Sequence, residues 1–174
     1  MDEPTPLTLP EIALLMRAST SAIRDEVEAA PDDVLAWHPA PDEWCVKEVL
    51  GHIIEADRRG FAGRVQVLVD QESPELVGWD QQEVARERHD CERDARELVE
   101  EFLDQREPGL ELLDRLSVAD LTRSGRHPRV GVLSVGDVVS EWVHHDRNHL
   151  KQILSNVQAY VWPQMGAAQR FAGE

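Results

Sequence analysis

Glu141-Trp142-Val143-His144-His145-Asp146-Arg147-Asn148-His149-Leu150-Lys151-Gln152-Ile153 is the run on which the fold turns. Val138, Trp142, His145, His149 and Ile153 recur at helical spacing, so they share one face of a helix. That face is mostly apolar and reads as core-facing. His145 and His149 lie about one turn apart and stack along it. Two imidazoles on a core face need polar partners or a metal ion, because an unpartnered buried polar group is costly. A helical His pair one turn apart suits a first-row transition metal. The plain alternative is a pair of hydrogen-bonded core histidines.

Working outward, three more helical patterns precede this one. The first opens at Thr8-Leu9-Pro10-Glu11 with a capping-box spacing and carries Ile12, Leu15, Met16, Ile23 and Val27 before Pro31 stops it. Pro31 to Pro41 reads as a connector with a short helical turn at Asp32 to Ala36, bracketed by Trp37 and Trp44. The second helix is predicted from Cys45 to about Val69, with Val46, Val49, Leu50, Ile53, Ala56 and Gly60 on one face. The third is predicted from Asp80, carrying Val84, Cys91, Ala95, Leu98, Val99 and Phe102, with Pro108-Gly109 kinking or breaking it. Asp120 to Leu133 reads as a long irregular loop. The last helix starts at Ser134, three residues before Asp137, and runs to about Tyr160. No segment shows period-2 alternation, so the fold class is all-α: a four-helix bundle with a long loop before its last helix. The 174 residues fit a single domain, 1–174, with its core at about 8–160.

Composition narrows the function classes. With 18 Lys plus Arg against 34 Asp plus Glu, the formal net charge is −16. A surface this acidic repels phosphate backbones and argues against nucleic acid. Arg123, Arg126 and Arg129 form a small basic cluster that suits a small anion or the protein's own carboxylates. No apolar run approaches a membrane span, and the N-terminus lacks the pattern of a signal peptide, so the expected location is cytoplasmic and no membrane partner is expected. Cys45 and Cys91 are far apart in no paired motif, which reads against a disulfide framework. Cys91, in line with Ala95, Leu98 and Phe102, reads as a buried structural thiol.

His52 is the third candidate ligand. It borders the core face of the second helix, and facing helices of a bundle bring such residues together. Three neutral imidazoles leave coordination positions open for water or substrate. Glu55, Asp57 and Arg147 are candidates for supporting or catalytic roles, with solvated surface charge as the alternative for each. His144 lies about 100° around the helix from His145 and reads as a flank. His38, His89 and His127 fall in loops or on a polar face, and His127 beside Pro128 reads as a possible lining of a pocket mouth.

Three blocks resemble the DinB superfamily, in particular its YfiT-like metal-dependent hydrolase branch. They are Trp37-His38-Pro39-Ala40-Pro41-Asp42-Glu43-Trp44-Cys45-Val46-Lys47-Glu48-Val49-Leu50-Gly51-His52, then His127-Pro128-Arg129-Val130-Gly131-Val132-Leu133-Ser134-Val135-Gly136-Asp137, then His145 to Ile153. The resemblance implies an up-down-down-up bundle, often dimeric. It implies a divalent transition metal (zinc, nickel, iron or manganese) on His52, His145 and His149. It implies hydrolysis or thiol transfer on a small molecule, the latter with a low-molecular-weight thiol such as glutathione, mycothiol or bacillithiol. The competing expectation is a non-catalytic stress-response protein that keeps the metal or a small ligand. One departure stands out: Cys45 occupies a helix-cap position where the family places Ser or Thr. A thiol caps poorly, at a cost of about 1 kcal/mol, or else it is a reactive thiol at a helix N-terminus.

Overall fold

The computed structural model describes residues 5–172. Its long elements are α1 (Leu9–Ala29), α3 (Val46–Glu55) continued by α4 (Ala62–Asp70), α6 (Ala95–Arg115) and α7 (Val135–Val161). The short α2 (Asp32–Leu35) and α5 (Gln81–Arg88) lie in the connections. The starts follow the caps in the sequence. The Thr8 N–H donates to Glu11 Oε2 at 2.8 Å, and Ser134 Oγ accepts the Asp137 N–H at 3.1 Å. Asp80 accepts the Gln82 N–H at 2.9 Å, and Asp94 accepts the Arg96 N–H at 2.8 Å.

Direction follows from which residues share a core. One apolar cluster gathers Ile12 and Met16 of α1, Phe61 and Val65, Leu110 and Leu113 of α6, and Val138 and Trp142 of α7. The other gathers Ile23 and Val27, Val49 and Leu50, Leu98 and Phe102, and Ile153. The chain therefore runs from the first cluster to the second in α1 and α7, and from the second to the first in α3–α4 and α6. This is the up-down-down-up order. Each fully buried Leu, Ile or Phe in these clusters contributes about 1.5–3 kcal/mol. Between the clusters each helical strand turns polar: Ser19, Asp57, Arg106 and Asp146 are all 0–1% exposed.

Five features depart from the sequence reading. The second helix is not continuous to Val69: a π-helical turn, Ala56–Gly60, follows α3, and Phe61 (φ −110°, ψ −85°) breaks the chain before α4. The third pattern splits. His89 (φ 52°) ends α5, a 3-10 turn spans Asp90–Glu92, and Asp94 caps a new helix. Cys91 therefore sits in that turn and not on the face of α6. Pro108 does not break α6. Pro108 and Asp104, whose carbonyl loses its N–H partner, are both exposed, so that carbonyl is open to solvent.

The loop before α7 contains a two-stranded antiparallel hairpin, β1 (Ser124–His127) and β2 (Gly131–Ser134), with Gly131 at φ +82° after the turn. Strands this short, one reading Ser-Gly-Arg-His, carry no alternation to detect. Finally, Cys45 and Cys91 are joined Sγ to Sγ, 46 residues apart in sequence, which corrects the reading of two unrelated thiols. No helix is long and apolar enough among the described residues to cross a membrane.

Candidate metal centre

His52 sits in the second turn of α3, on the face that α7 packs against, and His145 and His149 face it from one turn and the next of α7. His52 and His149 are 6% and 9% exposed. The Nε2 atoms of His52 and His145 lie 3.0 Å apart. The His149 ring centroid is 4.6 Å from that of His52 and 4.4 Å from that of His145. One ligand atom from each of the three rings falls within 4.8 Å of the others. Aromatic rings wall the group: Trp44 lies 5.0 Å and Trp79 5.9 Å from His52, and Phe61 4.8 Å from His145, centroid to centroid.

Protonation follows from this setting. Burial, and then the neighbouring His149, push His52 down to about 3. Burial, then His149 and His52, push His145 down to about 2. Burial lowers His149 as well, while its bond to Gln152 opposes the shift. All three rings are neutral at neutral pH, the form that ligates metals. Two neutral rings meeting Nε2 to Nε2 at 3.0 Å need a shared proton or a shared cation. Nδ1 of His52 and of His145 has no hydrogen-bond partner, so Nε2 is the atom each ring has engaged. His149 is bonded through Nδ1 to Gln152 Oε1 at 2.9 Å, which fixes the tautomer that leaves its Nε2 lone pair free. The donor set fits a divalent transition ion with open positions.

A buried ion-pair network holds the two ligand-bearing segments in register. Arg106 of α6 donates Nε to Asp57 Oδ2 at 2.8 Å and Nη2 to Asp146 Oδ1 at 3.0 Å. Trp142 Nε1 donates to Asp57 Oδ1 at 2.7 Å. Burial raises the Asp57 carboxyl above the usual carboxylate range. The Arg106 charge opposes that shift and the Asp146 charge adds to it. The network ties the turn after His52 to the residue after His145.

Two clefts meet at the imidazoles. The larger, about 740 Å³, is lined by His52 and His145 together with Phe61, Arg64, Trp79 and Glu141, and by the hairpin residues His127 and Arg129. The smaller, about 430 Å³, is lined by His52, His145 and His149 with Trp44, Asn148 and Gln152. Arg64 Nη2 is 3.2 Å from His127 Nε2, and its buried Nε has no partner. Burial lowers the Arg64 pKa, and the Glu141 charge counters this. Burial, then Arg64 and Arg129, lower His127. The larger cleft thus offers two guanidiniums in an otherwise acidic protein.

The sequence-derived candidates are placed unevenly. His52, His145 and His149 come together, and His127 lines the mouth of the larger cleft. Glu55 is 3% exposed, and its oxygens accept from Arg58 at 2.5 Å, Arg59 at 2.6 Å and Arg88 at 2.9 Å. Asp57 is committed to Arg106 and Trp142. Arg147 donates to Leu15 O at 3.2 Å. None of these three lines either cleft. Within the basic cluster, Arg123 donates Nε to Leu68 O at 2.8 Å, while Arg129 faces the larger cleft. Glu141 and Arg64 escaped the sequence reading. Glu141 had a signal: it lies four residues before His145, continuing the His145–His149 spacing.

Fold and centre together define a helical bundle built around a three-imidazole site of metal-ligating type. The match is specific: a family model of the DinB superfamily covers residues 15–153, and the chain belongs to that superfamily. A candidate metal-dependent hydrolase of Oceanobacillus iheyensis is 24% identical over 119 residues, 68% of each chain. Among solved structures, YfiT of Bacillus subtilis, a candidate metal-dependent hydrolase with an unusual four-helix bundle topology, superposes with a TM-score of 0.81. That match has 14% identity and covers 93% of this chain and 94% of that one. A mycothiol-dependent maleylpyruvate isomerase superposes with a TM-score of 0.70 and 10% identity, covering 86% of this chain and 63% of that one. At these identities the structural likenesses establish the fold.

Proposed function

We propose that the chain is a metal-dependent hydrolase of small anionic molecules, with His52, His145 and His149 holding one divalent transition ion. The observation that carries this reading is an open cleft, lined by Arg64 and Arg129, ending on two of three convergent neutral imidazoles. A bound ion supplies Lewis acidity and a lowered pKa for a water or thiol at its open position. The protein's own groups do the rest. Arg64, with its unpartnered Nε, and Arg129 bind the anionic group of the substrate and orient it. Trp79 and Phe61 exclude water from the floor of the cleft. Asp80 is committed to capping α5, so Glu141 is the lining carboxylate left to accept a proton.

A second reading is thiol transfer. The smaller cleft favours it, because it gives a co-substrate its own approach to the same imidazoles, and the likeness to a mycothiol-dependent isomerase is in keeping with it.

Elemental analysis of tag-free protein beside His149→Ala is the test. About one equivalent of metal in the parent, lost in the variant, supports the site. No metal in either, even after reconstitution, sinks it. With cobalt bound, a spectral change on adding a low-molecular-weight thiol selects transfer, and an unchanged spectrum selects hydrolysis. Glu141→Gln is expected to keep the metal and lose turnover.

A further inference from the structure

A second cluster of metal-ligating groups lies at the N-terminus of α3 and shares no residue with the three imidazoles. Cys45 Sγ, Cys91 Sγ, one nitrogen of His38 and one oxygen of Glu48 all fall within 4.8 Å of one another. Three separate stretches converge to make it: the connector after α2, the first turn of α3, and the 3-10 turn before α6. Cys45 and Cys91 have their Cα atoms 6.8 Å apart. His38 is already oriented. Its Nδ1 lies 2.8 Å from Glu43 O, so Nδ1–H donates to that carbonyl, and Nε2 points at Cys91 Sγ at 3.3 Å. An imidazole with one nitrogen anchored to a carbonyl and the other aimed at a thiol has the arrangement of a metal-ligating histidine. Glu48 Oε2 accepts the Cys45 N–H at 2.9 Å and lies 3.6 Å from His38 Nδ1.

We propose that Cys45, Cys91, His38 and Glu48 form a second, thiolate-rich site for a divalent ion such as zinc, available when the two sulfurs are reduced. A disulfide engages only the two sulfurs, whereas an ion would also draw on the His38 imidazole and on the Glu48 carboxylate, which already stands beside Cys45 as the cap of its N–H. Two sulfurs, one nitrogen and one oxygen suit zinc. Cys45 at the helix N-terminus gains from the local field that stabilises a thiolate. Two thiolates, one carboxylate and a divalent cation sum to a single negative charge at that same helix end.

The chemistry balances. A dithiol reductant takes the Cys45–Cys91 bond to two thiols and becomes a disulfide itself, and ion binding then releases two protons. Cys45 and His52 are seven residues apart, about 10.5 Å along α3, so the two centres are distinct. Between them Trp44, next to Cys45, packs on His52 at 5.0 Å.

The test is a cobalt titration of the full chain, reduced with a dithiol and desalted without oxygen. A near-ultraviolet thiolate-to-cobalt charge-transfer band is expected. It should persist in His149→Ala, vanish in Cys91→Ser, and be displaced by zinc. In the parent chain zinc should also protect both thiols from iodoacetamide, a readout that needs no variant to fold. No band in the reduced parent, a band that survives Cys91→Ser, or labelling unaffected by zinc overturns the site. A band abolished by His149→Ala also overturns it, by assigning thiolate ligation to the three-imidazole centre.

Discussion

Arg106→Met tests the network beneath the imidazoles. Arg106 is 0% exposed and bonded to Asp57 and Asp146, themselves 1% and 0% exposed. Replacing it leaves two buried carboxylates without a cation. Breaking a buried ion pair from one side costs about 3–5 kcal/mol. At about 2–4 °C per kcal/mol for a chain of this size, the melting temperature should fall by roughly 6–20 °C. The assay is urea unfolding of metal-free protein followed by circular dichroism, with the melting curve alongside. A loss below about 1 kcal/mol refutes the reasoning. The triple variant Asp57→Asn/Arg106→Met/Asp146→Asn removes the charges together and keeps an acceptor for Trp142 Nε1, so it should recover most of the loss. If it is as unstable as the single variant, the cost is lost packing of the guanidinium over Phe102 and Trp142, whose centroids lie 5.0 and 5.5 Å from it, and not stranded charge.

Three further predictions follow from individual contacts. Gln152→Leu removes the partner of His149 Nδ1 and should weaken metal affinity about 10–100-fold in chelator competition; unchanged affinity would mean that the Gln152 bond positions nothing. Gly109→Ala places a Cβ 2.7 Å from Trp142 Cη2 and should cost about 1–3 kcal/mol with a shift in tryptophan emission, and a neutral result would mean that α6 gives way there. Burial tends to raise Glu101, but Arg88 and Arg93 outweigh it and hold its carboxyl down to about 2. A carboxyl depressed in the folded state stabilises above its unfolded pKa of about 4.3. That stability drains away as pH falls from there toward 2. The side chain is 25% exposed, so solvent screening limits the contribution to about 1–2 kcal/mol. Glu101→Gln should flatten that part of the acid unfolding profile, and an unaltered profile would count against the account.

Much of this molecule was legible from local chemistry. Thr8, Asp80 and Ser134 announce their helices because a cap is decided within four residues. The last helix, with its two imidazoles, is readable because its apolar face repeats through Val138, Trp142 and Ile153. His52 joins them because its own helix face is equally clear. What stayed hidden depends on tertiary context. Pro108 survives inside α6 because its side faces water, which no window of sequence reveals. The break at Phe61 interrupts a pattern that stays apolar on both sides, and the turn at His89 follows a polar, exposed helix whose period runs on into α6. The Cys45–Cys91 approach depends on the crossover between α4 and α6. Arg64 and Arg129 meet in one cleft only because the hairpin folds back over α4.

The π-helical turn between His52 and Phe61 carries a further consequence. It fits an extra residue into its hydrogen-bonded ring, and one residue is about 100° of rotation. Upstream, α3 is keyed to the imidazoles. Downstream, Phe61 and α4 supply the floor and the Arg64 wall of the larger cleft. The turn therefore works as a coupling whose two shafts can be indexed separately. A one-residue deletion there would turn the α4 wall by about 100° relative to His52 and would also shift Asp57 against Arg106 and Trp142.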